Sequence, residues 1–116
     1  MPKEDFLTKH IEKFGQVIAA LFRLRKKGQN TEIVTIGKQT IGQLLENPYP
    51  STIELEYVAQ IYNILGDSYT ELLQNEEAQN SYKKSLVYYQ KLSQKDKTFS
   101  FERENIIFDL KNKIKK

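Results

Sequence analysis

Apolar residues recur at intervals of three and four along most of this chain, the spacing that places them on one face of an α-helix. No stretch alternates apolar and polar residues for long enough to predict a strand. The sequence therefore predicts an all-α protein with five helices. The first covers about residues 4–27, and the second begins at a cap formed by Asn30 or Thr31. The other three cover about residues 53–73, 76–94 and 99–115.

The first predicted helix is apolar on more than one side between Val17 and Leu24, which indicates burial on several faces. Its main apolar face consists of Leu7, Ile11, Phe14, Val17, Ile18 and Leu21. Gly28 follows three cationic residues and predicts the helix end, since glycine readily adopts the left-handed conformation that terminates helices. The second helix has the face Ile33, Ile36, Ile41, Leu44 and Leu45.

Gly37 and Gly42 lie inside the second predicted helix, where each glycine weakens the helix by about 1 kcal/mol relative to alanine. We therefore expect another helix to approach closely at both positions. Two prolines predict a loop over residues 47–52, and Ser51 with Glu54 has capping-box spacing. The junction at residues 74–76 is short, so the third and fourth helices are expected to pack antiparallel.

One set of residues in the third and fourth helices has a specific spacing. Its members are Tyr62, Leu65, Gly66, Tyr69, Ala78, Tyr82 and Ser85. Gly66 and Ala78 are small, as expected where two helices approach closely, and the tyrosines are large enough to fill the space around that approach. With this spacing, residues 59–92 resemble one tetratricopeptide repeat. The family usually has proline where this chain has Gln90.

Residues 14–47 are similar to a degenerate second copy of that repeat, in which Leu21 replaces the glycine and Gly37 replaces the aromatic residue. The resemblance implies a single domain over residues 1–116, with two helical hairpins and a C-terminal capping helix over about residues 99–115. The capping helix is expected to cover one side of the hairpins through Phe99, Ile106, Leu110 and Ile114. The opening residues also resemble small uncharacterised bacterial helical proteins.

The tetratricopeptide resemblance implies a scaffold that binds other proteins on a concave face, which is lined by the first helix of each hairpin. The implied interaction surface is Ile18, Phe22, Arg25, Gln60, Asn63, Asp67 and Glu71. Family members that bind chaperone tails hold a carboxylate with lysine and asparagine on this face. This chain has Ile18 and Phe22 at the corresponding places, so that ligand is not implied.

Composition narrows the possible classes of protein. The chain has 116 residues, 39% hydrophobic and 28% charged, which is typical of one folded domain, and it has no cysteine. The start lacks the apolar core of a signal peptide, and the longest apolar run, Val17 to Phe22, is far too short to cross a bilayer. We expect a cytoplasmic protein with no membrane contact.

The charges are segregated along the chain. Residues 39–82 contain seven acids and no lysine or arginine, whereas the segments before and after this window are basic and bring the net charge to +3. This pattern favours solvated helix faces. The alternative is a nucleic-acid-associated protein that uses the basic N- and C-terminal segments. No nucleic-acid motif accompanies these segments, and we expect no such binding tighter than micromolar at physiological salt.

The sequence offers no constellation of catalytic residues. His10 is the one histidine, and Glu54 and Glu56 lie two residues apart on a helix, where side chains do not face each other. There is no nucleophile elbow and no glycine-rich phosphate loop. We therefore expect neither an enzyme nor a cofactor, metal or small-molecule substrate.

The favoured function is a non-catalytic protein-interaction module that binds either an unknown protein partner or a second copy of itself. The first predicted helix has no evident intramolecular cover near Ile18 and Phe22. Because an exposed apolar patch commonly marks an interface, a homodimer built mainly on the first helix is expected.

Overall fold

Five helices make up most of the backbone that the structure describes. The computed structural model describes the backbone of residues 3–114 and the side chains of residues 11–114, and the predicted all-α class is confirmed. The predictions for Leu7 and His10 concern side chains outside the described ones, and the predicted end of the last helix at about residue 115 lies outside the described backbone. The helices are α1 (Lys3–Lys26), α2 (Asn30–Leu44), α3 (Thr52–Glu71), α4 (Asn75–Lys95) and α5 (Phe101–Lys113).

Local signals set two of the helix ends as predicted. Gly28 has φ of 71° and ends α1. The backbone N–H of Glu54 donates to Ser51 Oγ at 3.2 Å, and the Ser51 N–H donates to Glu54 Oε1 at 3.0 Å, so the capping box at α3 is confirmed.

The starts of α2 and α5 differ from the prediction. Gln29 occupies the position before α2 and makes no side-chain capping hydrogen bond, so Asn30 is the first helical residue rather than the cap. At α5 the cap is Ser100, whose Oγ accepts from the Arg103 N–H at 3.2 Å. Phe99 therefore lies before the helix instead of on its packing face.

The hairpin of α3 and α4 is antiparallel, as predicted from its short connection. Tyr62 stacks on Tyr88 with ring centroids 5.8 Å apart, and further along α3 the Tyr82 hydroxyl donates to Asp67 Oδ1 at 2.6 Å. Residues later in α3 therefore contact residues earlier in α4, as in an antiparallel pair.

The first helices of the two hairpins run parallel. The Tyr57 hydroxyl of α3 donates to the carbonyl of Ile11 in α1 at 3.4 Å. Later in both helices, Arg25 of α1 forms an ion pair with Asp67 of α3, with 3.0 Å between Nη2 and Oδ2. The α2 helix packs on both α1 and α3, and α5 packs on α4.

The core lies between these helices and includes side chains from all five. Among the largest fully buried ones are Phe14, Leu21, Ile33, Leu44, Ile61, Leu65, Leu92 and Leu110. Ile18 is also buried, with 7% of its surface exposed. On α5 the buried residues are Ile107 and Leu110, while Ile106 and Ile114 are partly buried and Phe99 is 67% exposed. The α5 face predicted from Phe99 is thus wrong at its start and omits Ile107.

Three glycines were predicted to lie where helices approach closely, and two of them do. A Cβ at Gly37 would lie 2.7 Å from Leu65 Cδ2, and a Cβ at Gly66 would overlap the ring of Tyr82, so close packing is confirmed at both. Gly42 has nothing within 4 Å of such an atom, and the close contact expected there is wrong. No helix in the described residues is both long and apolar enough to cross a membrane.

Gly66→Ala and Gly42→Ala are expected to change stability in opposite directions. The methyl group at Gly66 overpacks against Tyr82 and should lower the free energy of unfolding by about 1–3 kcal/mol. The methyl group at Gly42 meets open space and should raise it by up to about 1 kcal/mol through helix propensity. Urea unfolding measures both, and a Gly66→Ala variant as stable as wild type would contradict the packing described.

Leu73 ends α3 in a strained conformation, with φ of 61°, and its side chain is 84% exposed. Left-handed backbone costs a residue with a Cβ roughly 1–2 kcal/mol, whereas glycine adopts it freely. Leu73→Gly should therefore raise the thermal midpoint by a few degrees. Leu73→Ala removes the same exposed side chain but keeps the strain, so it should leave the midpoint nearly unchanged. Equal effects of the two variants would show that strain at Leu73 is not the cause.

Candidate interaction surfaces

The implied interaction surface is partly assembled in the structure. Gln60, Asn63 and Asp67 are half-buried along one face of α3, and Glu71 follows them as an exposed residue. From α1, Phe22 is 48% exposed and the Arg25 side chain reaches Asp67. Ile18 does not belong to this surface, because its side chain is enclosed in the core.

Asp67 is the centre of a polar network that joins four helices. Its carboxylate accepts from the Tyr82 hydroxyl of α4, pairs with Arg25 of α1 and lies 3.3 Å from Lys113 Nζ of α5. The same ammonium group donates to Asn63 Oδ1 at 3.3 Å. A cavity of about 270 Å³ adjoins the network and is lined by Arg25, Asp67 and Glu71, among others.

This network gives Asp67 and Arg25 a role within the molecule. The cations of α1 and α5 are turned toward a carboxylate of α3, so neither is available to a partner without breaking an internal pair. Lys113 was not among the predicted residues of this surface. Lys113 follows Asp67 by 46 residues, and no local pattern in α5 distinguishes it from the neighbouring lysine at position 111.

Burial and the hydrogen bond to Asp67 raise the pKa of Tyr82 to about 12, from an ordinary value of 10.0. Burial also raises the pKa of Tyr89 and of Tyr62. These phenols therefore stay neutral at physiological pH and act as hydrogen-bond donors or packing groups, not as bases.

A second surface runs along α4 and combines lysines with tyrosines. Lys84 Nζ lies 5.5 Å from the ring centroid of Tyr62, and Lys91 Nζ lies 5.1 Å from that of Tyr88. A cavity of about 400 Å³ is lined by all four residues. It adjoins one of about 370 Å³ at Tyr62 and Lys84 and one of about 470 Å³ at Tyr88 and Lys91. We call the depression that they form the lysine–tyrosine groove. This groove was not among the predicted surfaces, although Lys84, Tyr88 and Lys91 recur on α4 at four- and three-residue spacing.

A third surface is apolar and extends from the residues before α5 to the middle of that helix. Phe101 is 77% exposed and Phe108 is 65% exposed. Phe99 packs edge-to-face on Phe101, with ring centroids 4.8 Å apart. We call Phe99, Phe101 and Phe108 the phenylalanine surface. It lies on the side of α5 opposite the buried Ile107 and Leu110.

The described residues contain no group of three histidine, cysteine, aspartate or glutamate side chains that could hold a metal ion. Comparisons with protein-family models, with curated proteins and with solved structures find no match. The tetratricopeptide resemblance therefore rests on the residues of this chain alone.

We expect Asp67→Asn to lower the free energy of unfolding by about 1–2 kcal/mol. The substitution weakens the charge-assisted hydrogen bond to Tyr82 and removes the partner of two cations, whose own contribution is small because their side chains are 48% and 37% exposed. Glu71→Gln is the matched control, since it makes the same charge change one turn further along α3, where Glu71 has no ion pair among the described residues. Urea unfolding at neutral pH should show little effect of the control, and equal losses would contradict the role of Asp67.

The same variant should lower the pKa of Tyr82, because one of the two main causes of its increase is removed. A phenol whose pKa is raised by folding stabilises the fold fully below the unfolded pKa, and this contribution is lost as the pH rises through the folded value. The stability difference between wild type and Asp67→Asn should therefore shrink between about pH 10 and 12. Phenolate absorbance and unfolding measured at several pH values test this.

Proposed function

We propose that this chain is a non-catalytic protein-interaction module of tetratricopeptide-like architecture. The parallel course of α1 and α3, each followed by a second helix, is what two stacked hairpins require. Gly66 beneath the Tyr82 ring and the buried Ala78 agree with the roles of the small positions in the repeat. A cytoplasmic setting is part of the proposal, since a chain without cysteine needs no oxidising compartment.

The observation that carries the proposal is the phenylalanine surface. A phenylalanine side chain has roughly 150–250 Å² of surface, so these three residues expose on the order of 400 Å² of apolar area. Phe99 and Phe101 are in contact, and Phe108 lies two turns further along the same face, with the exposed Glu104 and Asn105 between them. Exposed apolar residues grouped on one face in this way are often part of interaction sites. Phe22, by contrast, is an exposed apolar residue on α1 whose neighbour Ile18 is buried. The proposed interface therefore lies on α5 instead of on α1.

We assign a second copy of this chain to the phenylalanine surface. Phe101 and Phe108 are seven residues apart, which places them on the same face of α5 and about two turns from each other. If two α5 helices pack antiparallel about a two-fold axis between Glu104 and Asn105, Phe101 of each copy meets Phe108 of the other. Such self-complementarity is what a symmetric dimer interface needs.

Sedimentation velocity at tens of micromolar tests this assignment. Wild type should sediment as a dimer, and Phe101→Glu with Phe108→Glu should sediment as a monomer, because charges placed face to face in the interface repel and lose hydration. Phe22→Glu is the matched control on α1 and should remain a dimer. Circular dichroism should show the same helicity for all three proteins. A monomeric wild type, or dissociation caused by Phe22→Glu alone, would show that the proposed interface is wrong.

A further inference from the structure

The lysine–tyrosine groove holds positive charge that the protein itself does not neutralise. Lys38, Lys83, Lys84 and Lys91 line its three cavities, and none of them forms an ion pair with a carboxylate of residues 11–114. Among the described residues that line the groove, Glu77 at one end is the one acid. The lysines of the groove are therefore not offset by acids beside them, although acids elsewhere offset most of the positive charge of the chain.

The floor of the groove is aromatic and apolar. Tyr62 and Tyr88 stack on each other with 16° between their ring planes, and Val87 beside them is 46% exposed. The ammonium groups of Lys84 and Lys91 are held near these rings by cation–π attraction. A ligand that fits must therefore supply anionic groups for the two lysines and hydrocarbon for the floor between them.

We infer that the lysine–tyrosine groove binds an acidic segment of a partner protein, with carboxylates on Lys84 and Lys91 and apolar side chains against Tyr62, Tyr88 and Val87. The inference rests on the proposed role as a protein-interaction module, but it concerns a different surface and a different partner. Lys84, Tyr88 and Lys91 occupy one side of α4. Gln79, which donates to the carbonyl of Lys113 in α5 at 3.0 Å, lies on the other side.

The geometry favours a peptide over single-stranded nucleic acid. Sequence-tolerant binding of single strands depends on bases that stack on open aromatic faces. Here the two tyrosines already stack on each other and each has an ammonium group near its ring, so a base would have to displace these contacts. Discrete carboxylates on a peptide reach the lysines without doing so.

Fluorescence anisotropy with a labelled peptide of alternating glutamate and leucine tests the inference. The peptide should bind wild type, and the same peptide with glutamine at every glutamate should bind at least about tenfold more weakly. Lys84→Gln with Lys91→Gln should weaken binding of the acidic peptide by about tenfold, the effect expected from the loss of two surface ion pairs. Both lysines are exposed, so the variant should fold normally. Lys84→Arg with Lys91→Arg keeps the charges and should retain binding.

The matched control is Lys26→Gln with Lys27→Gln, which makes the same charge change at exposed positions outside the groove and should leave the affinity within about twofold. The inference is overturned if wild type does not bind the acidic peptide, or if the two lysine pairs have equal effects. It is also overturned if labelled oligothymidine binds more tightly than the peptide and depends on Lys84 and Lys91, which would make the groove a nucleic-acid site.

These measurements test the proposed dimer and the proposed groove independently. Phe101→Glu with Phe108→Glu should abolish self-association and leave peptide binding unchanged. Peptide binding by a monomeric wild type would remove the self-association proposal alone, whereas a dimer that ignores the peptide would remove the groove alone.

Discussion

The ring of Tyr82 lies against the backbone of Gly66, and the positions of the outer helices depend on this contact. Because residue 66 has no side chain, α4 approaches α3 closely enough for the Tyr82 hydroxyl to reach Asp67, the next residue along α3. Asp67 in turn receives Arg25 from α1 and Lys113 from α5. A substitution at Gly66 therefore moves the Tyr82 hydroxyl away from the Asp67 carboxylate. Because Asp67 also pairs with α1 and α5, more than one helix pair is disturbed.

Packing and charge contribute differently to this arrangement. The ion pairs of Asp67 involve partly exposed cations, and such pairs contribute at most about 1 kcal/mol each. Burial of Leu21, Leu65 and Leu110, each worth roughly 1.5–3 kcal/mol, contributes more to holding the helices together. The polar network is better understood as selecting the orientation of α1 and α5 on a core whose stability comes from apolar contacts.

The sequence predicted those features that depend on neighbouring residues. Helix periodicity, the capping box at Ser51 and the glycine stop at Gly28 are all local, and all three are confirmed. Ser100, a capping residue, was the missed local signal for the true start of α5. Long-range outcomes could not be read in this way. Ile18 was placed on an open face because periodicity does not tell how many neighbours a helix has.

The phenylalanine surface and the lysine–tyrosine groove lie on different helices, so binding at one can strengthen binding at the other. The phenylalanine surface is on the side of α5 away from the core, and the groove is on the side of α4 away from α5, so a dimer built on Phe101 and Phe108 leaves both grooves open. Two acidic segments on one partner chain would then bind with the second association made intramolecular, at an effective concentration that can reach millimolar. A single groove with a few surface ion pairs binds weakly. Self-association would convert such weak contacts into a selective one, because only partners with two suitably spaced acidic segments would gain from it.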